Sequence, residues 1–169
     1  EKKKIWEKLK ICNPKVKESN TLVIINPNSS DLAPLRRWPL LSYALLIKKL
    51  LHDARVVIII TGVSSESKYA DQICSIVQNS RCINFTGKTT LRELIDLYNI
   101  GKFMITNDSG PVHFASLTEI KLFVFYGPET PIRYSPLTPT YEAFYSNFAC
   151  SPCITAENGL QSTCTNNLC

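Results

Sequence analysis

Long apolar runs are missing from these 169 residues, histidine occurs only twice, and methionine once. The longest apolar candidate, Arg55-Val56-Val57-Ile58-Ile59-Ile60, has the length and β-branching of a buried strand, so the sequence offers no transmembrane helix. With His52 and His113 as the only imidazoles, a Ser-His-Asp triad has few options, and no G-x-S-x-G elbow occurs. No G-x-G-x-x-G follows the first apolar run and no G-x-x-x-x-G-K-[ST] is found, which disfavours the usual dinucleotide and P-loop sites. His52, beside Asp53 near a helix end, reads as a surface residue. There is no initiating methionine and no apolar signal region, so the expectation is an excised piece without a secretion signal of its own. Internal repeats and low-complexity segments are absent as well.

At 44% hydrophobic content the chain can bury one core, and one domain is expected. The net charge of +5 is concentrated at the start: seven Lys (2, 3, 4, 8, 10, 15, 17) face three Glu (1, 7, 18) in the first twenty residues. A nucleic-acid binder more often spreads a basic face over its folded core, so no nucleic-acid partner is expected. The basic segment at 1–20 reads as a solvated charged helix or linker, with peripheral contact to anionic lipid or to another domain as the other reading.

Apolar segments alternate with amphipathic ones. Strands are expected at Thr21 to Asn26, Val56 to Thr61, Ile83 to Phe85, 102 to 106 and Lys121 to Tyr126. Helices are expected over Trp38 to His52, with Pro39 in the first turn, from Ser64 to about Gln78, from Thr89 or Thr90 with Glu93 completing a capping box, and after Gly110. Strands apolar on both faces, each followed by a helix, imply an α/β fold: a Rossmann-like parallel sheet covered by helices on both faces. The periodicity fades after about Gly127, leaving an irregular Cys-containing tail with at most a short strand near Ala143-Phe144-Tyr145. The expected organisation is therefore a basic segment (1–20), a Rossmann-like domain (21–135) and a tail (136–169).

In such a sheet a ligand lies beyond the carboxyl ends of the strands, where every polar loop falls. Thr106-Asn107-Asp108-Ser109-Gly110-Pro111-Val112-His113 packs a carboxylate, a hydroxyl, a glycine and an imidazole into one strand-to-helix corner. Backbone N–H groups after Ser109 and Gly110 would point at a ligand, with Pro111 in the first helical turn; alternatively Asp108 or Ser109 merely caps the helix. The first loop adds Ser29, Ser30, Arg36 and Arg37, hydroxyls and guanidinium forks suited to phosphate, or else surface ion-pair partners. Glu66 could accept from ribose hydroxyls or complement a helix dipole. Of seven cysteines, four close the chain as Cys150-x2-Cys153-x10-Cys164-x4-Cys169; free thiols, disulfides and zinc all stay open, and only the first pair has metal-ligand spacing. Cys12, Cys74 and Cys82 read as fillers.

As a set, Asn26-Pro27-Asn28-Ser29-Ser30, Arg36-Arg37-Trp38-Pro39, Gly62 with Glu66, Thr86-Gly87-Lys88-Thr89-Thr90-Leu91, the 107 to 113 corner and Tyr126-Gly127-Pro128 resemble the C-terminal half of glycosyltransferase family 9, the bacterial lipopolysaccharide heptosyltransferases. The resemblance covers roughly residues 20 to 135, and the Cys-Ser-Pro-Cys tail looks like the tails of some members. It implies the donor-binding half of a GT-B enzyme that takes a nucleotide-sugar such as ADP-heptose, inverting and without metal or other cofactor. By resemblance, Ser29 and Ser30 meet the diphosphate, Arg36 neutralises it, Glu66 lies near the ribose and Thr89 touches the adenine. Asp108 faces the sugar, Ser109 and Gly110 offer N–H groups, and Pro111 and His113 complete the donor motif. The acceptor glycolipid and the general base would belong to an N-terminal domain that this chain lacks, so no catalytic residue is expected here and the piece alone is expected to be inactive. The implied setting is the cytoplasmic side of the inner membrane, with peripheral attachment. A non-catalytic α/β nucleotide-binding or interaction module and a sugar-nucleotide epimerase are the rival readings.

Overall fold

A computed structural model describes residues 2–29, 33–159, 161–165 and 167–169. Its elements run α1 (Lys2–Cys12), β1 (Thr21–Asn26), α2 (Leu40–Leu50), β2 (Val56–Ile60), α3 (Ser67–Val77), β3 (Cys82–Asn84), α4 (Leu91–Tyr98), β4 (Phe103–Asn107), α5 (Gly110–Ala115), β5 (Lys121–Tyr126), α6 (Pro131–Tyr134) and β6 (Tyr141–Tyr145). All six strands are parallel, in the order β3-β2-β1-β4-β5-β6. This is the doubly wound order, with its topological switch point between β1 and β4.

Strand alternation sends successive side chains to opposite faces, and each face has its own core. Leu22, Ile24, Val57, Ile59, Met104, Leu122 and Val124 pack with Ile5 and Leu9 of α1, Leu97 of α4 and Val112 of α5. Val23, Ile25, Ile58, Ile60 and Ile105 pack with Tyr43, Ala44 and Ile47 of α2 and Ala70 and Ile73 of α3. Each fully buried Ile or Leu contributes about 1.5–3 kcal/mol relative to exposure. The helices therefore cover both faces, as the apolar runs imply.

Boundaries shift modestly. Pro39 sits at the N-cap of α2 rather than in its first turn, whereas Pro111 does fall in the first turn of α5. The capping box forms as expected: Thr90 Oγ1 accepts from Glu93 N–H at 3.3 Å and Glu93 Oε2 from Thr90 N–H at 3.0 Å. His52 is exposed.

Two regions are more ordered than their sequence implies. The basic opening segment carries α1, which buries Ile5, Trp6 and Leu9 on one face and anchors Lys4 and Lys8 to Glu93 of α4 at 2.9 and 2.7 Å. Its charged residues masked an apolar stripe of only three residues. In the tail, the strand near 143 to 145 begins at Tyr141 and pairs with β5 along its whole length. Beyond it the chain folds back: Ser151 Oγ donates to Gly127 O (2.7 Å) and Cys153 N–H to Pro128 O (2.8 Å). Packed structure thus extends past both ends of 21–135.

Candidate functional site

The two strands flanking the switch point are joined at their carboxyl ends by one side chain. Asn107, fully buried, accepts at Oδ1 from Trp38 N–H (3.0 Å) and from the Tyr43 hydroxyl (2.9 Å). Its amide donates to Pro27 O (2.9 Å) and Asn28 O (3.3 Å). This ties the end of β4 to the loop after β1, and Arg37 Nη2 adds a bond to Ser29 O at 2.8 Å. The second loop is fixed by Glu66, whose Oε2 accepts from Val63 N–H at 2.7 Å. Gly87, with φ of 67°, turns the chain after β3.

Between these loops lies a cleft of about 490 Å³. It brings together Ser29, Glu66, Thr89, Ser109, Gly110 and Pro111, six of the residues singled out above. Four loops contribute, one from the carboxyl end of each of β1, β2, β3 and β4, where a switch-point ligand belongs. Leu91, Leu94 and Phe114 give it an apolar wall.

Neither cap candidate at the 107 to 113 corner caps α5. Ser109 occupies the N-cap position, yet its hydroxyl donates to Asn107 O at 3.3 Å. The carboxylate of Asp108 is engaged by Arg36 instead, with Nη2 to Oδ2 at 2.5 Å. A Cβ built on Gly110 would meet nothing within 4 Å, so its backbone faces open space.

Arg36 and Asp108 are not on the cleft wall. Asp108 is 2% exposed, and Arg36 lines a second cavity of about 380 Å³ with Trp38, Tyr126 and Gly127. Burial pushes the Asp108 carboxyl up, against the pull of the neighbouring Arg36 charge. His113 is exposed and lines neither cavity. Ser30 lies outside the described residues.

The structure adds residues that hydroxyl and charge counting passed over. Asn28 lines the cleft and its buried Nδ2 has no hydrogen-bond partner among the described residues. Gly62 forms part of the wall, and a Cβ there would come within 2.5 Å of Glu66 Oε2. Asn28 and Gly62 were visible in the sequence as members of the motif set, without a role of their own. Asn107 was visible in the same way, as part of the 107 to 113 corner.

The four tail cysteines all line a third cavity of about 390 Å³. All seven cysteines are thiols in this structure, and among the described residues no three His, Cys, Asp or Glu side chains are grouped to hold a metal. Cys74 and Cys82 stand with their sulfurs 3.6 Å apart, so they are neighbours rather than scattered fillers.

The family model for glycosyltransferase family 9 (heptosyltransferase) matches residues 2–163. The chain belongs to glycosyltransferase family 9. Among curated relatives, lipopolysaccharide heptosyltransferase 2 of Escherichia coli (strain K12) is 30% identical over 135 residues, 78% of this chain and 38% of that protein. Lipooligosaccharide heptosyltransferase 2 of Campylobacter jejuni (strain 81116) is 28% identical over 161 residues, 93% of this chain and 48% of that one. The solved structure of E. coli ADP-heptose lipopolysaccharide heptosyltransferase II superposes with a TM-score of 0.71 at 26% identity, covering 87% of this chain and 48% of that chain. This family 9 chain therefore spans less than half the length of the relatives it matches. No helix among the described residues is long and apolar enough to cross a membrane.

Proposed function

We propose that this chain is the donor-binding half of a family 9 glycosyltransferase and that its cleft takes a nucleotide diphosphate sugar of the ADP-heptose type. The observation that carries this reading is the convergence of Ser29, Glu66, Thr89, Ser109 and Gly110 on one cleft at the carboxyl ends of four strands. Backbone N–H groups at 109 and 110 and the Asn28 amide are donors for phosphate oxygens, and the Ser29 hydroxyl joins them by releasing Ala33 O, to which it donates at 3.2 Å. Glu66 accepts from ribose hydroxyls, and Thr89 with Leu91 and Leu94 contacts the base. Beside the cleft, where Arg36 lines the second cavity, Asp108 and Arg36 serve the sugar and the departing diphosphate of a donor that extends past the cleft wall, with Ser30 at the phosphate and Pro111 and His113 completing the corner. The E. coli relative's name supports the choice of ADP-heptose.

Transfer with inversion needs a base to take the acceptor's proton as the diphosphate leaves. In this reading the base and the glycolipid site belong to the part of the protein outside this chain. The leaving diphosphate is met by Arg36 and oriented N–H groups without need of a metal. The enzyme would work at the cytoplasmic face of the inner membrane as a peripheral protein.

Calorimetric titration with ADP and an ADP-sugar tests the site. Saturable binding is expected, and Arg36→Ala should weaken it by about 1.5–3 kcal/mol, the scale of hydrogen bonds to charged groups. A folded sample that binds neither ligand sinks the reading.

A further inference from the structure

Glu129 follows β5 in the loop that leads to α6, and it is 2% exposed. Three buried polar atoms at this place have no hydrogen-bond partner among the described residues: Glu129 Oε2, Asp108 Oδ1 and Arg36 Nε. Arg36 already pairs with Asp108 through Nη2. The strand pairing sets them at one edge: β5 runs beside β4, Asp108 N–H donates to Phe125 O at 3.0 Å, and Glu129 comes two residues after Gly127, which lines the Arg36 cavity, so the Glu129 carboxyl lies in the fields of both Arg36 and Asp108. We propose that Glu129 is a positioning residue of the diphosphate site: with Asp108 it makes a pair of buried carboxyls served by one nearby guanidinium, that of Arg36, and the pair takes up one proton when an anionic ligand engages that guanidinium.

This inference rests on the donor-site reading above. One guanidinium neutralises one carboxylate. A second ionised carboxyl leaves a buried net negative charge, which low-dielectric surroundings penalise and which repels an incoming phosphate. The other charged groups around the cluster offset it only in part. Arg133, near Glu129, is paired with Glu157. His113 is the other group whose charge acts on Asp108. The Tyr134 ring lies 5.9 Å from the Arg36 guanidinium carbon and supplies no proton acceptor for Nε. Tyr126 donates its hydroxyl proton to Tyr134 O at 3.0 Å. Burial holds both carboxyls above their ordinary range, so each takes up a proton more readily than an exposed carboxylate. When phosphate oxygens draw on Arg36, the attraction that kept the pair ionised weakens and a proton from solvent replaces it.

Calorimetry of the whole chain with ADP, at a series of pH values and in two buffers of different ionisation enthalpy, reads proton uptake directly. The wild type should take up a measurable fraction of one proton per ADP bound. Glu129→Gln should lose most of that uptake and bind ADP at least threefold more tightly at the alkaline end of the series. Glu129→Asp should retain the uptake, which a purely structural role would not predict. Thermal melting of the unliganded proteins gives a second readout. A raised folded-state pKa means stability is lost as pH rises through it, so Glu129→Gln should flatten that loss. Equal uptake in wild type and Glu129→Gln, with ADP still bound, overturns the role of Glu129 and leaves the donor site standing. Folded wild-type protein that binds no ADP overturns the donor site and this inference together.

Discussion

At the scale of single residues, the site is built by side chains with more than one task. Asn107 spends all its hydrogen-bonding capacity joining the β4 end to the loop after β1. Asp108, which could have capped α5, instead pairs with Arg36 across 72 positions of sequence. Gly62 is retained by crowding: a methyl group would lie 2.5 Å from Glu66 Oε2 and 2.8 Å from Asn28 Nδ2. Gly62→Ala should therefore displace both groups and weaken ADP binding about tenfold or more, equal to about 1.4 kcal/mol, in a calorimetric titration. These residue types were legible in the sequence as polar loops at strand ends. Their partners were not, because a guanidinium's choice between phosphate, solvent and a distant carboxylate depends on which loops meet.

At the scale of elements, local pattern was a good guide. The Thr90/Glu93 capping box forms where spacing put it, and Thr90→Ala should cost about 0.5–2 kcal/mol in chemical denaturation. Glu93 does more than cap. Lys8, the Thr90 N–H and Lys4 together hold its carboxyl down to about 2. A depressed carboxylate pKa gives stability that is full above the unfolded value and is lost as pH falls towards the folded one. Melting temperature should thus drop between about pH 4.5 and about pH 2, and Glu93→Gln should remove this part of the acid dependence while lowering stability at neutral pH. Helix α1 itself was obscured. Five lysines in eleven residues dominate its composition, while Ile5, Trp6 and Leu9 supply the apolar face that docks, with Lys4 and Lys8 paired to Glu93.

At the scale of the molecule, the sheet collects loops from distant parts of the chain into one cleft and leaves β6 as the closing strand beside β5. Phe123 and Phe125 contact Phe144 of β6 at ring-centroid distances of 6.2 and 5.6 Å. Removing residues from 141 onward should expose the β5 edge and these rings, and light scattering during a thermal ramp should rise at lower temperature than for the whole chain. In a sugar-transfer assay the present chain alone should turn over no donor, while still binding it; turnover by the isolated chain would place the base within it.

The sequence by itself determined the alternation of strands and helices and the parallel covered sheet, because burial period and turn chemistry are local and are written residue by residue, and the resemblance of its loop motifs pointed to the family. Tertiary structure decided the β3-β2-β1-β4-β5-β6 order, the full length of β6 and the docking of α1. It also decided which polar residues reach the cleft and that Arg36 pairs with Asp108 off the cleft wall. The physical reason is range: hydrophobic periodicity acts over a few residues, whereas a buried charge finds its partner only when the sheet has brought separate loops together.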